Sequence, residues 1–227
     1  MSEQRSVAIA GGTGWLGRAV TAKLLGCGAT CHVTWLFESE LDGLPEHERM
    51  RLHKVDCTSE QEVADFYWKL DRLDASIHLV GGFAMSPLVE TSLADFDRMW
   101  TLNVRTAFLC CREAVRKFQA AGVEGRIVNV GARPAVAPVG GMVAYTSSKA
   151  AVTNLTQAVA DEVRQDGILV NAVLPSIMDT PQNRTDMPDA DFGLWPKVEE
   201  VAETIAFLVS PQNVLTSGAL VPVYGRG

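Results

Sequence analysis

Short apolar runs alternate with amphipathic segments along the chain, and this alternation constrains the fold more than any other feature. Runs rich in apolar and β-branched residues predict seven strands, at Ser6–Ala10, Thr30–Phe37, Arg51–Val55, Ala75–Val80, Arg126–Val130, Ile168–Leu174 and Leu220–Val223. Apolar positions three or four apart predict helices, at about Trp15–Leu25, Ser59–Leu70, Leu93–Ala121, Val143–Gln165 and Val198–Leu208. Because such repeats form right-handed crossovers, we predict one α/β domain over residues 1–227, with a doubly wound parallel sheet between two helical layers.

The length and charge of the chain limit its possible partners. Its 227 residues suit one domain, and 20 basic against 27 acidic side chains give a net charge of −7. An acidic chain is a poor ligand for nucleic acid or an anionic membrane, because both attract clustered lysine and arginine. No apolar stretch reaches the roughly 18 residues of a spanning helix, and no secretory segment precedes the first strand, so we expect a cytoplasmic protein.

The cysteines give no sign of a metal site or a disulfide framework. There are five, an odd number, and their spacing fits neither kind of site: Cys27, Cys31, Cys57, Cys110 and Cys111. We therefore expect free thiols, buried or partly buried, in a reducing compartment.

A glycine cluster lies between the first predicted strand and the first predicted helix. Gly11, Gly14 and Gly17 recur every three residues, and Thr13, Trp15 and Leu16 complete the turn. In a Rossmann-type domain such a turn lets the backbone approach a pyrophosphate, whose charge the helix N-terminus attracts. The pattern therefore predicts a dinucleotide site, and the alternative is a turn with a purely structural role.

The second strand is where an acidic residue would bind the adenosine ribose of such a dinucleotide. Glu38 follows Gly17 by 21 residues, just beyond the predicted strand. No lysine or arginine occurs between Leu24 and Glu48 to bind a 2′-phosphate, which favours NADH over NADPH. The alternative is that Glu38 is a solvated loop residue.

Tyr145 and Lys149 form a second pair of interest, because residues four apart share one face of a helix. A free tyrosine has a pKa near 10 and is a poor acid or base at neutral pH. We expect the neighbouring ammonium, together with a positively charged nicotinamide ring, to lower the pKa of Tyr145.

Together, these motifs resemble the short-chain dehydrogenase/reductase family over essentially the whole chain. The resemblance is carried by the glycine cluster, Asn103, Tyr145 with Lys149, and the segment Asn171–Pro175. It implies that Tyr145 exchanges a proton with the substrate and that Lys149 holds the nicotinamide ribose. It also implies that Asn103 supports a water-linked path for that proton.

The same resemblance implies further contacts with a cofactor, NADH or NADPH. These come from Asp56 and Cys57 after the third strand, Gly81 and Gly82 after the fourth, and Pro175, Ile177 and Thr180 after the sixth. The acid that usually ends the second strand in this family aligns with Trp35, and the arginine of NADPH users aligns with Leu36. The motif alignment therefore leaves the choice of cofactor open.

The largest departure from the family concerns the catalytic serine, whose position thirteen residues before Tyr145 holds Ala132. The dihydropteridine reductase branch shows the same departure, and Gly131–Arg133, Gly141–Met142 and the long stretch from Leu174 to Trp195 are similar to it. This branch implies hydride transfer to a small planar acceptor such as a quinonoid dihydropteridine. Substrate contacts are then expected from Ala132, Arg133, Met187 and Trp195, with the loop at about 175–196 closing over the substrate.

Two other functions remain open from the sequence: a ketone reductase that works without the serine, and a nucleotide-binding sensor without catalysis. The family also pairs its long helices between subunits. Since residues 93–121 and 144–165 are rich in apolar side chains, we expect a homodimer or homotetramer.

Overall fold

The computed structural model describes residues 5–226, and its seven strands form one parallel sheet. The strands are β1 (Ser6–Ala10), β2 (Thr30–Trp35), β3 (Met50–Lys54), β4 (Ala75–His78), β5 (Arg126–Val130), β6 (Leu169–Pro175) and β7 (Leu220–Val223). Their order is β3-β2-β1-β4-β5-β6-β7, so the chain changes direction across the sheet between β1 and β4. The predicted doubly wound sheet is confirmed, and ligands of such sheets bind at this switch point.

Helices cover both faces of the sheet. They are α1 (Trp15–Gly26), α2 (Glu60–Lys69), α3 (Leu93–Met99), α4 (Thr106–Ala121), α5 (Val143–Glu162), α6 (Pro181–Asp186) and α7 (Val198–Val209). Val20 of α1 and Ile205 of α7 pack on one face with Ile9. On the other face Tyr67 of α2 and Phe118 of α4 are buried. Burial on both sides explains why the strands are almost entirely apolar.

Several predicted boundaries are corrected by the structure. β2 ends at Trp35 rather than Phe37, because the chain turns into a 3₁₀ helix at Glu38–Leu41. The long helix predicted at Leu93–Ala121 contains a π-helical turn at Trp100–Arg105 between α3 and α4. The stretch 175–196, predicted as a loop, contains α6, whose cap is Thr180 followed by a proline at the first helical position.

A polar cluster is buried within the sheet near the switch point. His78 on β4 contacts Asn129 at 2.7 Å and Ser76 at 2.9 Å, and burial lowers the pKa of this histidine to about 4. His78 is therefore a neutral, buried residue at physiological pH.

The five cysteines are free, and Cys27 is exposed while the other four are buried. The expectation that all would be at least partly buried is wrong for Cys27, which directly follows the last residue of α1. Within residues 5–226, no helix is long and apolar enough to cross a membrane, and no metal-binding group of three or more His, Cys, Asp or Glu occurs.

Candidate active site

The glycine turn between β1 and α1 leaves no room for a side chain at Gly11 or Gly17. Gly11 has a φ of +74°, and a Cβ there would lie 2.8 Å from the Val80 side chain. A Cβ on Gly17 would lie within 2.6 Å of the backbone at Gly11 and Gly12. Both positions therefore require glycine, as a turn that packs closely against a strand and a helix demands.

The N-terminus of α1 presents unpaired donors at this turn. The first helical hydrogen bond runs from the Arg18 N–H to the Gly14 carbonyl at 2.8 Å, so the N–H groups of Trp15, Leu16 and Gly17 precede it. Gly14 is the N-cap without a side-chain cap, and the first turn carries no acidic residue. The partial positive charge of this helix end suits a phosphate group.

The glycine turn is also tied to the segment after β2. The Thr13 hydroxyl donates to the Glu40 carboxylate at 2.5 Å, and the Gly11 N–H donates to the Thr34 hydroxyl at 2.9 Å. Arg18 donates to the carbonyls of Thr13 and Glu40, both at 2.8 Å. The sequence analysis missed Glu40, because its contact with Thr13 depends on the 3₁₀ turn.

Trp35 ends β2 at the position where the family places an acid. Its indole ring is half-buried, and the Lys54 ammonium lies 5.2 Å from the ring centroid. Glu38, the acid selected from the sequence, is exposed and forms no side-chain hydrogen bond or ion pair within residues 5–226.

Asp56 and Cys57 follow β3, next to the end of β2. The Asp56 carboxylate accepts hydrogen bonds from the N–H and hydroxyl of Thr58 at 2.8 and 2.7 Å, so one of its oxygens holds the turn that leads into α2. Cys57 is buried, with its Sγ 3.6 Å from the Thr34 hydroxyl that also accepts from the glycine turn.

Tyr145 and Lys149 lie one turn apart near the start of α5. The Lys149 ammonium donates to the Val130 carbonyl at 2.8 Å, and burial lowers the pKa of Lys149 to about 8. Burial likewise raises the pKa of Tyr145 to about 12. The lower tyrosine pKa expected from the sequence is therefore not found in the protein without cofactor, because burial disfavours the phenolate.

Asn103 joins the loop after β4 to α5. Its side-chain oxygen accepts from the Gly82 N–H at 2.9 Å, and its amide donates to the Gly82 carbonyl and to the Ser148 hydroxyl. A Cβ on Gly81 would lie 2.7 Å from this Asn103 oxygen and 3.3 Å from the Lys149 ammonium nitrogen. The structure thus brings Asn103, Gly81, Gly82 and Lys149 together.

Ala132 is a residue predicted to contact the substrate, and Phe83 lies beside Tyr145. Ala132 follows β5, is buried and has no hydroxyl to offer. The ring of Phe83 lies edge-to-face against Tyr145 with 4.9 Å between centroids, and 59% of Phe83 is exposed. Sequence reasoning missed Phe83, although an aromatic residue directly after Gly81–Gly82 was a usable signal.

The segment after β6 holds the remaining cofactor candidates. Pro175 ends β6, and the Thr180 hydroxyl accepts from the Asn183 N–H at 3.2 Å as the cap of α6. Ile177 is 43% exposed between them. These three residues lie on the carboxyl side of β6, the edge at which ligands bind to such sheets.

Two of the residues that were predicted to contact the substrate, Arg133 and Trp195, pack against aromatic side chains of the protein. The Arg133 guanidinium lies 5.0 Å from the Tyr224 ring, and Trp195 packs on Phe192 at 5.0 Å. Met187 follows directly after α6. Trp195 lines a cavity of about 690 Å³ together with Asp179, Arg184, Lys197, Val223 and Arg226. Within residues 5–226, neither Tyr145 nor Ala132 lines that cavity.

Known proteins are similar to this chain in both sequence and fold. The family model described as short chain dehydrogenase matches residues 5–191. The uncharacterized oxidoreductase YohF of Escherichia coli is 31% identical over 165 residues, 69% of this chain and 65% of that protein. Carbonyl reductase [NADPH] 2 of Sus scrofa is 31% identical over 147 residues, 60% of each chain.

A solved structure is also similar to this chain in its fold. An ElxO variant with NADPH bound has a TM-score of 0.90 and 25% identity, and covers 98% of both chains. The family match spans most of the residues, including the glycine turn, Asn103, Tyr145 and Lys149. The chain therefore belongs to the short chain dehydrogenase family of oxidoreductases.

Proposed function

We propose that this oxidoreductase transfers a hydride from NADH or NADPH to a small planar acceptor, with a quinonoid dihydropteridine as the preferred class. The observation that carries the proposal is the pairing of an intact Tyr145, Lys149 and Asn103 set with a buried Ala132 in place of a hydroxyl. Tyr145, Lys149 and Asn103 can transfer a proton to the acceptor. The alanine lacks the hydroxyl that would bind the oxygen of a ketone.

The site fits a nicotinamide dinucleotide on its own geometry. The glycine turn packs tightly at Gly11 and Gly17, where a Cβ would meet protein atoms, and the N-terminus of α1 presents N–H donors to a pyrophosphate. Lys149 would hold the nicotinamide ribose and Thr180 the carboxamide, as the family resemblance implies. When bound, the reduced cofactor supplies the hydride.

Tyr145 supplies the proton that must accompany the hydride. With a pKa of about 12 its phenol is protonated at neutral pH, the form that an acid in the reductive direction needs. The Lys149 ammonium is charged below about pH 8 and favours the phenolate left after proton transfer. Asn103 and Ser148 fix the start of α5 against the loop after β4, which keeps this pair in place.

The missing hydroxyl favours an acceptor other than a ketone. A ketone develops negative charge on its oxygen during hydride transfer, and loss of one donor to such an oxygen costs about 10² to 10³ in rate. A quinonoid dihydropterin is an electron-poor conjugated imine that needs less of this assistance. The exposed Phe83 ring beside Tyr145 gives an apolar surface suited to a planar ring.

A ketone reductase is the second candidate, and it is favoured by the relative named carbonyl reductase. The test is a steady-state screen of the purified protein with each reduced cofactor against pterin, quinone and ketone acceptors. We expect the pterin to be reduced fastest. Rapid ketone reduction without pterin reduction would support the second candidate. Cofactor binding with no reduction of any acceptor would support a non-catalytic sensor.

We also propose that the protein forms a homodimer or homotetramer through α4 and α5, as family members generally do. Phe108 on α4 is 45% exposed and stacks with Arg112 at 5.4 Å, which leaves an aromatic surface on this helix. Light scattering at micromolar concentration tests this proposal, and a monomeric mass would contradict it.

A further inference from the structure

We propose that the cavity between α6, α7 and the segment after β7 binds a small aromatic carboxylate, with residues other than those of the catalytic pair. We call it the α6–α7 cavity. Its volume of about 690 Å³ is that of an ordinary ligand pocket. The residues on which the proposal rests line it together: Asp179, Arg184, Phe192, Trp195, Lys197 and Arg226. The inference adds a ligand site to the proposed function and does not depend on it.

The walls of the α6–α7 cavity are tied to one another by backbone hydrogen bonds. The Arg226 N–H donates to the Leu194 carbonyl and the Asp179 N–H to the Pro196 carbonyl, both at 2.9 Å. Gly225 has a φ of +72°, and a Cβ there would lie 2.6 Å from the Leu194 carbonyl oxygen. The segment after β7 therefore runs directly against the residues before α7, and a ligand meets a wall that is already formed.

Two aromatic rings form the apolar part of the lining. The rings of Trp195 and Phe192 are tilted by 47° with 5.0 Å between their centroids, and both side chains are partly buried. The Arg184 guanidinium lies 4.9 Å from the centroid of the Phe192 ring. Such rings offer faces and edges on which a planar ligand can pack.

The charged part of the lining is positive on balance, in a chain whose net charge is −7. The Asp179 carboxylate accepts two hydrogen bonds from Arg184, at 2.6 and 2.8 Å. One oxygen of Glu200 accepts from the Lys197 backbone N–H at 2.9 Å. Within residues 5–226, neither the Lys197 ammonium nor the Arg226 guanidinium forms an ion pair or a side-chain hydrogen bond. Two cations thus remain available to an anion.

This combination of groups identifies the class of ligand. A guanidinium matches the two oxygens of a carboxylate, and an ammonium adds a point charge beside it. Arg226 and Lys197 supply these two groups at the same cavity as the Trp195 ring. A neutral aromatic compound would leave both cations without a partner, and an aliphatic acid would leave the ring faces uncovered.

The test uses 2-naphthoate as the probe and the neutral 2-naphthamide as its matched control. Binding is measured by titration calorimetry on the full chain, in a buffer of low ionic strength. We expect 2-naphthoate to bind with a dissociation constant below about 1 mM, and the amide to bind about tenfold more weakly or worse.

Substitutions then assign the binding to this cavity. Lys197→Gln with Arg226→Gln should weaken 2-naphthoate about tenfold or more and leave the amide unchanged, because only the anion uses these charges. Trp195→Leu should weaken both probes. The control is Lys69→Gln, which removes an exposed cation from the end of α2, on the other face of the sheet, and should change neither.

Four results would overturn the proposal. The first is a folded wild type that does not bind 2-naphthoate, and the second is equal affinity for the acid and the amide. The third is an equal loss of affinity in Lys69→Gln, which would assign the effect to the overall charge of the protein. The fourth is displacement of 2-naphthoate by saturating NADH, which would place the probe in the dinucleotide site. Failure of NADH to bind would contradict the proposed function and leave the result for 2-naphthoate unaffected.

Discussion

The ammonium group of Lys149 donates to the backbone carbonyl of Val130 at 2.8 Å, across the gap between α5 and the end of β5. Lys149 is only 7% exposed, and this burial lowers its pKa to about 8 from an ordinary value of 10.5. The chain thus keeps a charge in a desolvated place at neutral pH. Such a position is costly for folding and useful for chemistry, because the local charge is poorly screened.

Replacing Lys149 with methionine should separate stability from activity. The native pKa lies below the unfolded one, so the charged lysine destabilises the native state below about pH 8, and this cost disappears as the pH rises towards 10.5. We expect Lys149→Met to be at least as stable as the wild type at neutral pH, and to have lost reductase activity. Urea unfolding should show the wild type gaining stability relative to the variant between about pH 8 and 10.5. A variant that is strongly destabilised at neutral pH would contradict this account.

Gly81→Ala should lower the activity of the protein more than its stability. The added methyl group would meet the Asn103 oxygen at 2.7 Å and the Lys149 nitrogen at 3.3 Å, so one or both must move. We expect kcat to fall at least tenfold while the thermal midpoint changes little. Gly26→Ala is the matched control, because a Cβ there meets nothing within 4 Å. Equal activity in the two variants would show that Asn103 and Lys149 need not hold their observed positions.

Tyr145→Phe removes only the hydroxyl that donates the proton. General acid catalysis of this kind contributes about 10² to 10⁴ in rate, so we expect a loss of that order in kcat. The ring contact with Phe83 should persist, because the aromatic ring is unchanged. An unchanged rate and an unchanged pH profile would show that Tyr145 is not the proton donor.

Ala132→Ser restores the hydroxyl that most family members are expected to carry at this position. The added hydroxyl is the hydrogen-bond donor that the buried Ala132 lacks. We expect ketone reduction to rise by up to about 10² and pterin reduction to change little. A gain of equal size for both acceptors would show that pterin reduction also benefits from this hydroxyl and would contradict the account.

Much of this fold was predictable because its signals are local. Strand and helix periodicity, the glycine turn and the Tyr145–Lys149 spacing are all properties of short segments, and the structure agrees with them apart from shifts at element ends. The proline after Thr180 was a local signal for α6 that the low periodicity of residues 175–196 concealed.

The features that were missed depend on contacts between distant segments. Thr13 and Glu40 are 27 positions apart and meet only because the chain turns at Glu38–Leu41. The edge-to-face contact of Phe83 with Tyr145 joins the segment that follows β4 to the start of α5. Burial sets the pKa of Tyr145 and Lys149, and burial is a property of the packed molecule rather than of the spacing between two residues.

The central claim is that this family member reduces a planar conjugated acceptor and does not need the hydroxyl that Ala132 lacks. Its most direct test is the kcat/KM of the wild-type protein for a quinonoid dihydropterin and for a panel of ketones, each measured with saturating NADH. We expect the pterin value to exceed every ketone value by at least tenfold. Ready reduction of a ketone by protein that leaves the pterin unreduced would contradict the claim.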